Sequence, residues 1–369
     1  MKHIRWKLAA LAAAAVLAAC GGGETADGPS NKAGINAMVS FGDSLSDIGN
    51  PKVGSIAGLA AATGGAGTFT VNGTTGGQIW TERIAALLPV PTTCTAETGL
   101  YPSPQLGLTG AARAAKAGCT NYAQGSARIT SPLGPNSVAL QSPPFNQITL
   151  GLTAKPIQEQ MATHLANNGG AYTGKELVTV LAGANDIFME LAFFGQPGGA
   201  QTPAAAANNI AAAAASLGQL IKTQVVGKGA RQVLVLNVPD IAATPFAKHQ
   251  SATIQSLIAV LTQTFNQELA AQLQGVAGVV LADTYSESQA IVANPAQYAV
   301  TNTTTPACGP NALSNPPTSP GTSLVCNASN VLKTDVSHYY FADDVHPTPY
   351  GHQLLSQFAS KLMAQAGWL

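Results

Sequence analysis

The sequence predicts an α/β fold built on a parallel sheet, and three observations carry that prediction. Short β-rich apolar runs alternate along the chain with longer stretches of helical periodicity. The 369 residues can bury a substantial core, as one large domain or two ordinary ones. With 46% hydrophobic residues and a formal net charge of zero, the chain lacks the low hydrophobicity and high charge of disordered segments.

In chain order, strands are expected at Ala37–Phe41, at a segment near Asn121, and at Leu177–Leu181, Gln232–Asn237 and Gly278–Ala282. Each is a short apolar run bounded by turn residues. Helices are expected at Gln78–Leu88, Pro156–Asn167, Pro203–Val226, Ser251–Gln274 and Pro349–Ala366. The last has Thr348 placed to cap and Pro349 at the first helical position, where a missing N–H costs nothing. The Ala-rich tract Ala204–Ala215 is interrupted by Asn208-Asn209 and reads as a surface or packing helix. Long loops separate these elements: Pro51–Gly77, Pro89–Gly118, Ile129–Lys155 and Ala293–His338. Loops of that length are functional or surface insertions. There is no internal repeat.

The N-terminus reads as an export signal. Lys2, Arg5 and Lys7 precede a 12-residue apolar run, Leu8–Ala19, too short to span a bilayer. It ends in Leu17-Ala18-Ala19-Cys20-Gly21, which resembles a bacterial lipobox and implies cleavage before Cys20 and lipid attachment to its sulfur. The expected division is a leader over 1–19, a flexible Gly-rich tether over 20–36 and a folded domain over 37–369. Loss of the leader's three basic residues leaves 14 basic against 17 acidic groups, so the mature chain carries about −3. A balanced and sparse charge inventory argues against nucleic-acid binding, which needs a basic face. The expected location is the cell envelope, as a monomer anchored to the outer membrane only through its lipid, with periplasmic or secreted forms as alternatives. Four cysteines then remain in an oxidising compartment, allowing three pairings. Cys94–Cys119 and Cys308–Cys326 are favoured because each closes a local Gly/Pro-rich insertion. Free thiols or crossed pairs are the alternatives.

Four segments carry chemistry. The first strand runs into Phe41-Gly42-Asp43-Ser44-Leu45-Ser46-Asp47-Ile48-Gly49-Asn50, which puts Ser44 just past a strand's carboxyl end, where α/β folds place catalytic groups. The G-x-S-x-G elbow is not satisfied, because Ser46 occupies its second glycine position. Near the C-terminus, Asp343-Asp344-Val345-His346-Pro347 sets a carboxylate three residues before a histidine, close enough in a bend to orient it. A serine hydroxyl needs such a base to be nucleophilic at neutral pH, and the base needs a carboxylate to fix its tautomer. Gly183-Ala184-Asn185-Asp186 follows a strand, and the asparagine amide can donate to an oxyanion. Asn121-Tyr122-Ala123-Gln124-Gly125-Ser126 offers a glycine N–H for the same purpose. Taken singly, each of these is ordinary turn chemistry.

Together and in this order, the four segments resemble the blocks of the GDSL or SGNH hydrolase superfamily, and most of all exported bacterial GDSL lipases and esterases. The resemblance spans Met38 to about Leu369. It implies a flavodoxin-like three-layer αβα sandwich with a five-stranded parallel sheet and no cofactor or metal. It also implies Ser44 as nucleophile, His346 as base and Asp343 as its partner, with an oxyanion hole of the Ser44 and Gly125 N–H groups and the Asn185 amide. One departure is Ser126, which stands where many relatives have a second glycine; Gly125 remains the expected donor. Asp344 competes with Asp343 for the third position, and the spacing favours Asp343. Ile187, Phe188, Phe193 and Phe194, just after Asn185, are candidates for an acyl pocket, or for a helix start that buries its aromatics.

Other signals are weak. Gly169–Glu176 nearly matches a phosphate-binding loop but ends in glutamate and precedes a strand. His164, His249, His338 and His352 show no metal-ligand spacing. His352 is expected to face solvent or to pack. The expected activity is hydrolysis of a lipid, short-chain or polymeric carboxylic ester through an acyl-enzyme. Alternatives are acyl transfer or polyester depolymerisation on the same triad, or a non-catalytic surface lipoprotein.

Overall fold

The computed structural model describes residues 30–73, 79–314 and 321–369. The expected leader, Cys20 and most of the tether lie outside the described residues. Among those described, no helix is long and apolar enough to cross a membrane. The chain runs β1 (Ala37–Gly42), α1 (Gly54–Thr63), α2 (Trp80–Ala85), β2 (Glu97–Leu100), β3 (Ala111–Ala115), α3 (Ile157–Asn167), β4 (Glu176–Leu181), α4 (Ala184–Phe193), α5 (Pro203–Leu220), β5 (Gln232–Leu236), α6 (Pro245–Lys248), α7 (Ala252–Leu273), β6 (Val279–Ala282), α8 (Thr284–Ala293) and α9 (Pro349–Gln365).

Period-two alternation in the strands decides the layers, because successive side chains leave opposite faces of a sheet. Val39 and Phe41 of β1, Val178 and Val180 of β4, and Val233 and Val235 of β5 enter one core with α3, α5 and α7. Met38, Leu177, Leu181, Leu234 and Leu236 enter the other, against Trp80 and Ile84 of α2 and Ala359 and Met363 of α9. The result is the three-layer αβα arrangement around a parallel sheet ordered β1-β4-β5-β6.

The fifth strand, expected near Asn121, is reduced to a single bridge with Ser40. Tyr122 N–H donates to Ser40 O at 2.8 Å and Gln124 N–H to Gly42 O at 3.1 Å, so it still runs along the outer edge of β1. Regular pairing stops because Gly42 N–H, which would continue the ladder to Tyr122 O, donates to Gln160 Oε1 at 2.9 Å instead. On its other edge Asn121 bridges Thr95, beside the Cys94–Cys119 disulfide. The second disulfide is Cys308–Cys326.

The long loops hold more structure than their composition suggests. They contain α1, the β2–β3 hairpin and a satellite core in which Ile56 and Phe69 meet Leu100, Leu108, Leu152 and Leu324. Helix α1 escapes a periodicity search because its Gly/Ala-rich sequence buries only Ile56. The end of the expected tether is also part of the fold: Ile35 is fully buried, and Ala33 N–H donates to Trp368 O at 3.2 Å. The phosphate-loop-like turn is closed by its own glutamate. The Glu176 carboxylate accepts the N–H groups of Thr173, Gly174 and Lys175 at 2.9, 2.9 and 3.1 Å.

Candidate active site

The site forms where the strand order reverses, at the carboxyl ends of β1 and β4. Strand β1 ends at Gly42, where an added Cβ would lie 2.7 Å from Leu181 O, so only glycine lets the two strand ends come this close. The Gln160 amide of α3 brackets the same residue, accepting from Gly42 N–H and donating to Gly42 O, both at 2.9 Å. The chain then turns on Asp43, whose Oδ1 accepts Leu45 N–H at 3.0 Å and whose carbonyl accepts Ser46 N–H at 3.1 Å. This asparagine-type turn presents Ser44 at its tip. Burial pushes the Asp43 carboxyl up to about 7, against the opposing Leu45 hydrogen bond and the nearby His346 charge.

The second half of the site comes from the loop before α9, which Thr348 caps by accepting Gly351 N–H at 3.1 Å. His346 Nε2 lies 2.8 Å from Ser44 Oγ, although 302 positions separate them in sequence. His346 Nδ1 lies 2.8 Å from both Asp343 oxygens. Burial raises the Asp343 carboxyl, but the His346 charge and hydrogen bonds from His346 and Ser323 N–H outweigh it and hold the group well below the usual carboxylate range. Ser323 N–H donates to Asp343 Oδ2 at 2.8 Å from a segment that the Cys308–Cys326 disulfide closes. Asp344 makes no hydrogen bond to the histidine, and one of its oxygens is buried without a partner among the described residues. The ring of Phe69 packs against His346 at 5.1 Å. Of the two expectations for His352 the structure shows packing: it is fully buried, and burial, with the charges of His346 and Arg83, pushes it down to about 3. Among the described residues no cluster of side chains has the makings of a metal site.

One of the expected oxyanion donors is engaged elsewhere in the fold. Gly125 N–H donates to Asp47 Oδ2 at 2.8 Å in a fully buried contact, so it is not free to meet an oxyanion. The next residue, Ser126, lines the cavity, and its N–H has no acceptor among the described residues. Ser126 has φ of 67°, the left-handed region in which glycine is at ease. The departure from a second glycine, visible in the sequence, therefore falls on the residue whose N–H is unengaged among the described residues. Asn185 stands where expected, in the first turn of α4. One amide hydrogen donates to Ala127 O at 3.0 Å, which leaves the other for the cavity. Its neighbour Asp186 ties the same loop to α4, accepting from Arg128 Nε at 3.0 Å and Ile129 N–H at 3.2 Å.

Because Ser126 pays the strain of a left-handed conformation, Ser126→Gly is expected to stabilise the protein by up to about 1 kcal/mol while keeping kcat within a few-fold. Thermal unfolding together with ester kinetics checks this. A hundred-fold loss of activity in that variant would assign the serine hydroxyl, rather than its N–H, an essential part.

Ser44, His346 and Asn185 open onto a cavity of about 760 Å³, within the range of small-molecule sites. Helix α4 lines it with Asn185, Phe188, Met189 and Ala192, at i, i+3, i+4 and i+7. Of the expected acyl-pocket residues only Phe188 faces the cavity, with its ring edge-on to Phe246 at 5.2 Å. Ile187 is turned by helical geometry into the sheet core, Phe193 packs on Phe145 at 5.5 Å, and Phe194 lies against the core at the helix end. Phe188→Ala is expected to move the preferred acyl length upward, whereas Phe193→Ala leaves it unchanged and costs about 1–3 kcal/mol of stability. A p-nitrophenyl ester series and melting curves separate the two.

A serine, a histidine and a carboxylate in hydrogen-bonded sequence, beside two unbonded N–H groups and an amide, can carry out acyl transfer without a metal. A plant relative, the GDSL esterase/lipase APG of Arabidopsis thaliana, is 28% identical over 145 residues, which is 36% of this chain. The alignment spans 39% of the relative's own length. Two solved structures are similar at low level. LAE5, an alpha/beta hydrolase enzyme from the metagenome of Lake Arreo, Spain, has a TM-score of 0.41 and 12% identity, covering 90% of this chain and 96% of that one. Est24, a carbohydrate acetylesterase from Sinorhizobium meliloti, has a TM-score of 0.36 and 16% identity, covering 89% of this chain and 99% of that one. The family model for GDSL-like lipases and acylhydrolases matches residues 38–358, a stretch that includes the serine turn, the Ser126 loop, the Asn185 helix and the Asp343–His346 loop, and the chain belongs to that family.

Proposed function

We propose that this protein hydrolyses neutral carboxylic esters with apolar acyl groups through an acyl-enzyme on Ser44. The observation that carries this reading is the unbroken relay Ser44 Oγ, His346 Nε2, His346 Nδ1 and Asp343, every link at 2.8 Å. Ser44 Oγ attacks the ester carbonyl while its proton passes to His346 Nε2. The carbonyl oxygen, now negative, accepts from the N–H groups of Ser44 and Ser126 and from the Asn185 amide. When the tetrahedral species collapses, His346 returns the proton to the leaving alcohol. Water, deprotonated by the same imidazole, then releases the acid. Asp343 stays ionised throughout and favours the imidazolium of both steps.

The cavity's charge supports the choice of substrate. Asp43, Asp240, Glu287, Asp343 and Asp344 all line it, and no lysine or arginine does so among the described residues. Burial raises the carboxyls of Asp43, Glu287 and Asp344, but a wall of acidic groups with no cation offers nothing to pair an ester's own negative charge and disfavours it. Apolar residues of α4, with Phe69, Ile148 and Ile254, cover the remaining wall. The test compares p-nitrophenyl butyrate with p-nitrophenyl hemisuccinate, which is similar in length but anionic. A preference for the neutral ester of roughly tenfold or more in kcat/KM is expected, shrinking as salt screens the field. Equal turnover of the two would refute the charge selectivity, and no turnover of any ester would refute the hydrolase reading.

A further inference from the structure

The GDSL turn carries a second carboxylate, Asp47, that takes no part in the relay. It is fully buried and has no cationic partner among the described residues. It is instead saturated by backbone donors. Asp47 Oδ1 accepts Gly49 N–H at 2.8 Å and Asn50 N–H at 2.7 Å, while Oδ2 accepts Gly125 N–H at 2.8 Å. The first two bonds hold the segment that follows Ser44. The third reaches a loop 78 positions away and takes up the amide immediately before Ser126. Both chain segments that present a backbone oxyanion donor are therefore fastened to one carboxylate.

The position of Gly125 is constrained from its other side as well. A Cβ there would fall 2.5 Å from Phe69 Cζ, and Phe69 is the ring packed on His346. With Phe69 behind it, Gly125 has its N–H taken up by Asp47, while the left-handed Ser126 lines the cavity with an N–H that has no acceptor among the described residues.

We propose that Asp47 is a positioning residue of the oxyanion hole, sequestering the Gly125 N–H so that the Ser126 N–H is the donor presented to the reacting carbonyl. The assignment rests on the ester-hydrolase reading above and adds to it the group that orients the hole. A carboxylate is required because three N–H donors converge on two oxygens, both of which must accept. Asparagine at this position would retain one accepting oxygen and set an NH2 donor against one of the N–H groups.

In Asp47→Asn, kcat for p-nitrophenyl butyrate is expected to fall about 100-fold, the loss typical of one missing oxyanion donor, with KM nearly unchanged. Affinity for an alkyl boronic acid, which forms a tetrahedral adduct on Ser44 Oγ, should weaken by a similar factor. A merely structural role would instead lower the melting temperature without singling out the tetrahedral adduct. A second measurement needs only the wild-type protein. On boronate binding, the amide protons of Ser44 and Ser126 should move downfield in the NMR spectrum while that of Gly125 stays in place. A boronate-induced shift at Gly125, or an Asp47→Asn variant with wild-type kcat and boronate affinity, would overturn the assignment and leave the hydrolase reading intact. If the wild type neither binds the boronate nor turns over esters, the hydrolase reading falls and takes this inference with it.

Discussion

Ser44→Ala is expected to lower kcat for neutral esters by about 10⁵-fold or more, the scale seen when the nucleophile of a serine triad is removed. The fold should survive. Ser44 is part of a tight turn held by Asp43 and Gln160 rather than by its own hydroxyl, whose recorded hydrogen bond is to His346. Substrate binding should also survive, since the cavity walls and the donors of Ser126 and Asn185 remain. The variant therefore separates the two halves of the proposed function. Binding of a substrate-like ester with turnover near background is the expected pair of results, measured by calorimetry and by release of p-nitrophenol. Activity within tenfold of wild type would mean that the hydroxyl 2.8 Å from His346 is not the nucleophile.

Asp343→Asn is expected to reduce kcat by roughly 10⁴-fold, because an amide cannot hold His346 in the required tautomer or stabilise its imidazolium. Asp344→Asn, by contrast, should change kcat by less than about tenfold. The two residues are adjacent and chemically identical, so the comparison isolates geometry. Asp343 receives His346 Nδ1 and the N–H groups of Ser323, Val345 and His346, whereas burial and the neighbouring Asp343 charge raise the Asp344 carboxyl. The pH dependence of stability should differ in sign as well. The depressed Asp343 contributes stability above its unfolded value that is lost as pH falls through its folded one. The raised Asp344 contributes below its unfolded value and loses that contribution as pH rises. Asp343→Asn should therefore cost stability at neutral pH and progressively less in acid, as melting temperatures across pH would show. Equal kinetic effects from both substitutions would remove Asp343 from the relay.

Some of the site was legible before any coordinates. Asp343 and His346 are three residues apart, and a bend that short brings their side chains together whatever the rest of the chain does. Ser44 follows a short β-rich apolar run that marks a strand, and strand ends are where open sheets expose catalytic groups. Phe188 was one of four apolar residues near Asn185, and nothing local separates it from Ile187 or Phe193. Its place on the cavity follows from the register of α4, which begins at Ala184 and turns i+3 and i+4 from Asn185 toward the substrate. Helix α1 was hidden because its Gly/Ala-rich sequence buries only Ile56, and α8 because two of the three residues it buries, Thr284 and Ser288, are polar.

What the sequence determined by itself is therefore the set of pieces with short-range causes: a parallel α/β sheet from alternating strand and helix runs and the local Asp343–His346 pair, with two loop-closing disulfides favoured over the other pairings. Only the tertiary structure decided which N–H groups are left to meet an oxyanion. An amide is available only if nothing else has accepted its hydrogen, and the acceptor that removes Gly125 lies 78 positions away. The same holds for the cavity, whose wall is assembled from segments that share no local pattern. A motif can place a donor within reach, but whether that donor is free depends on partners elsewhere in the chain.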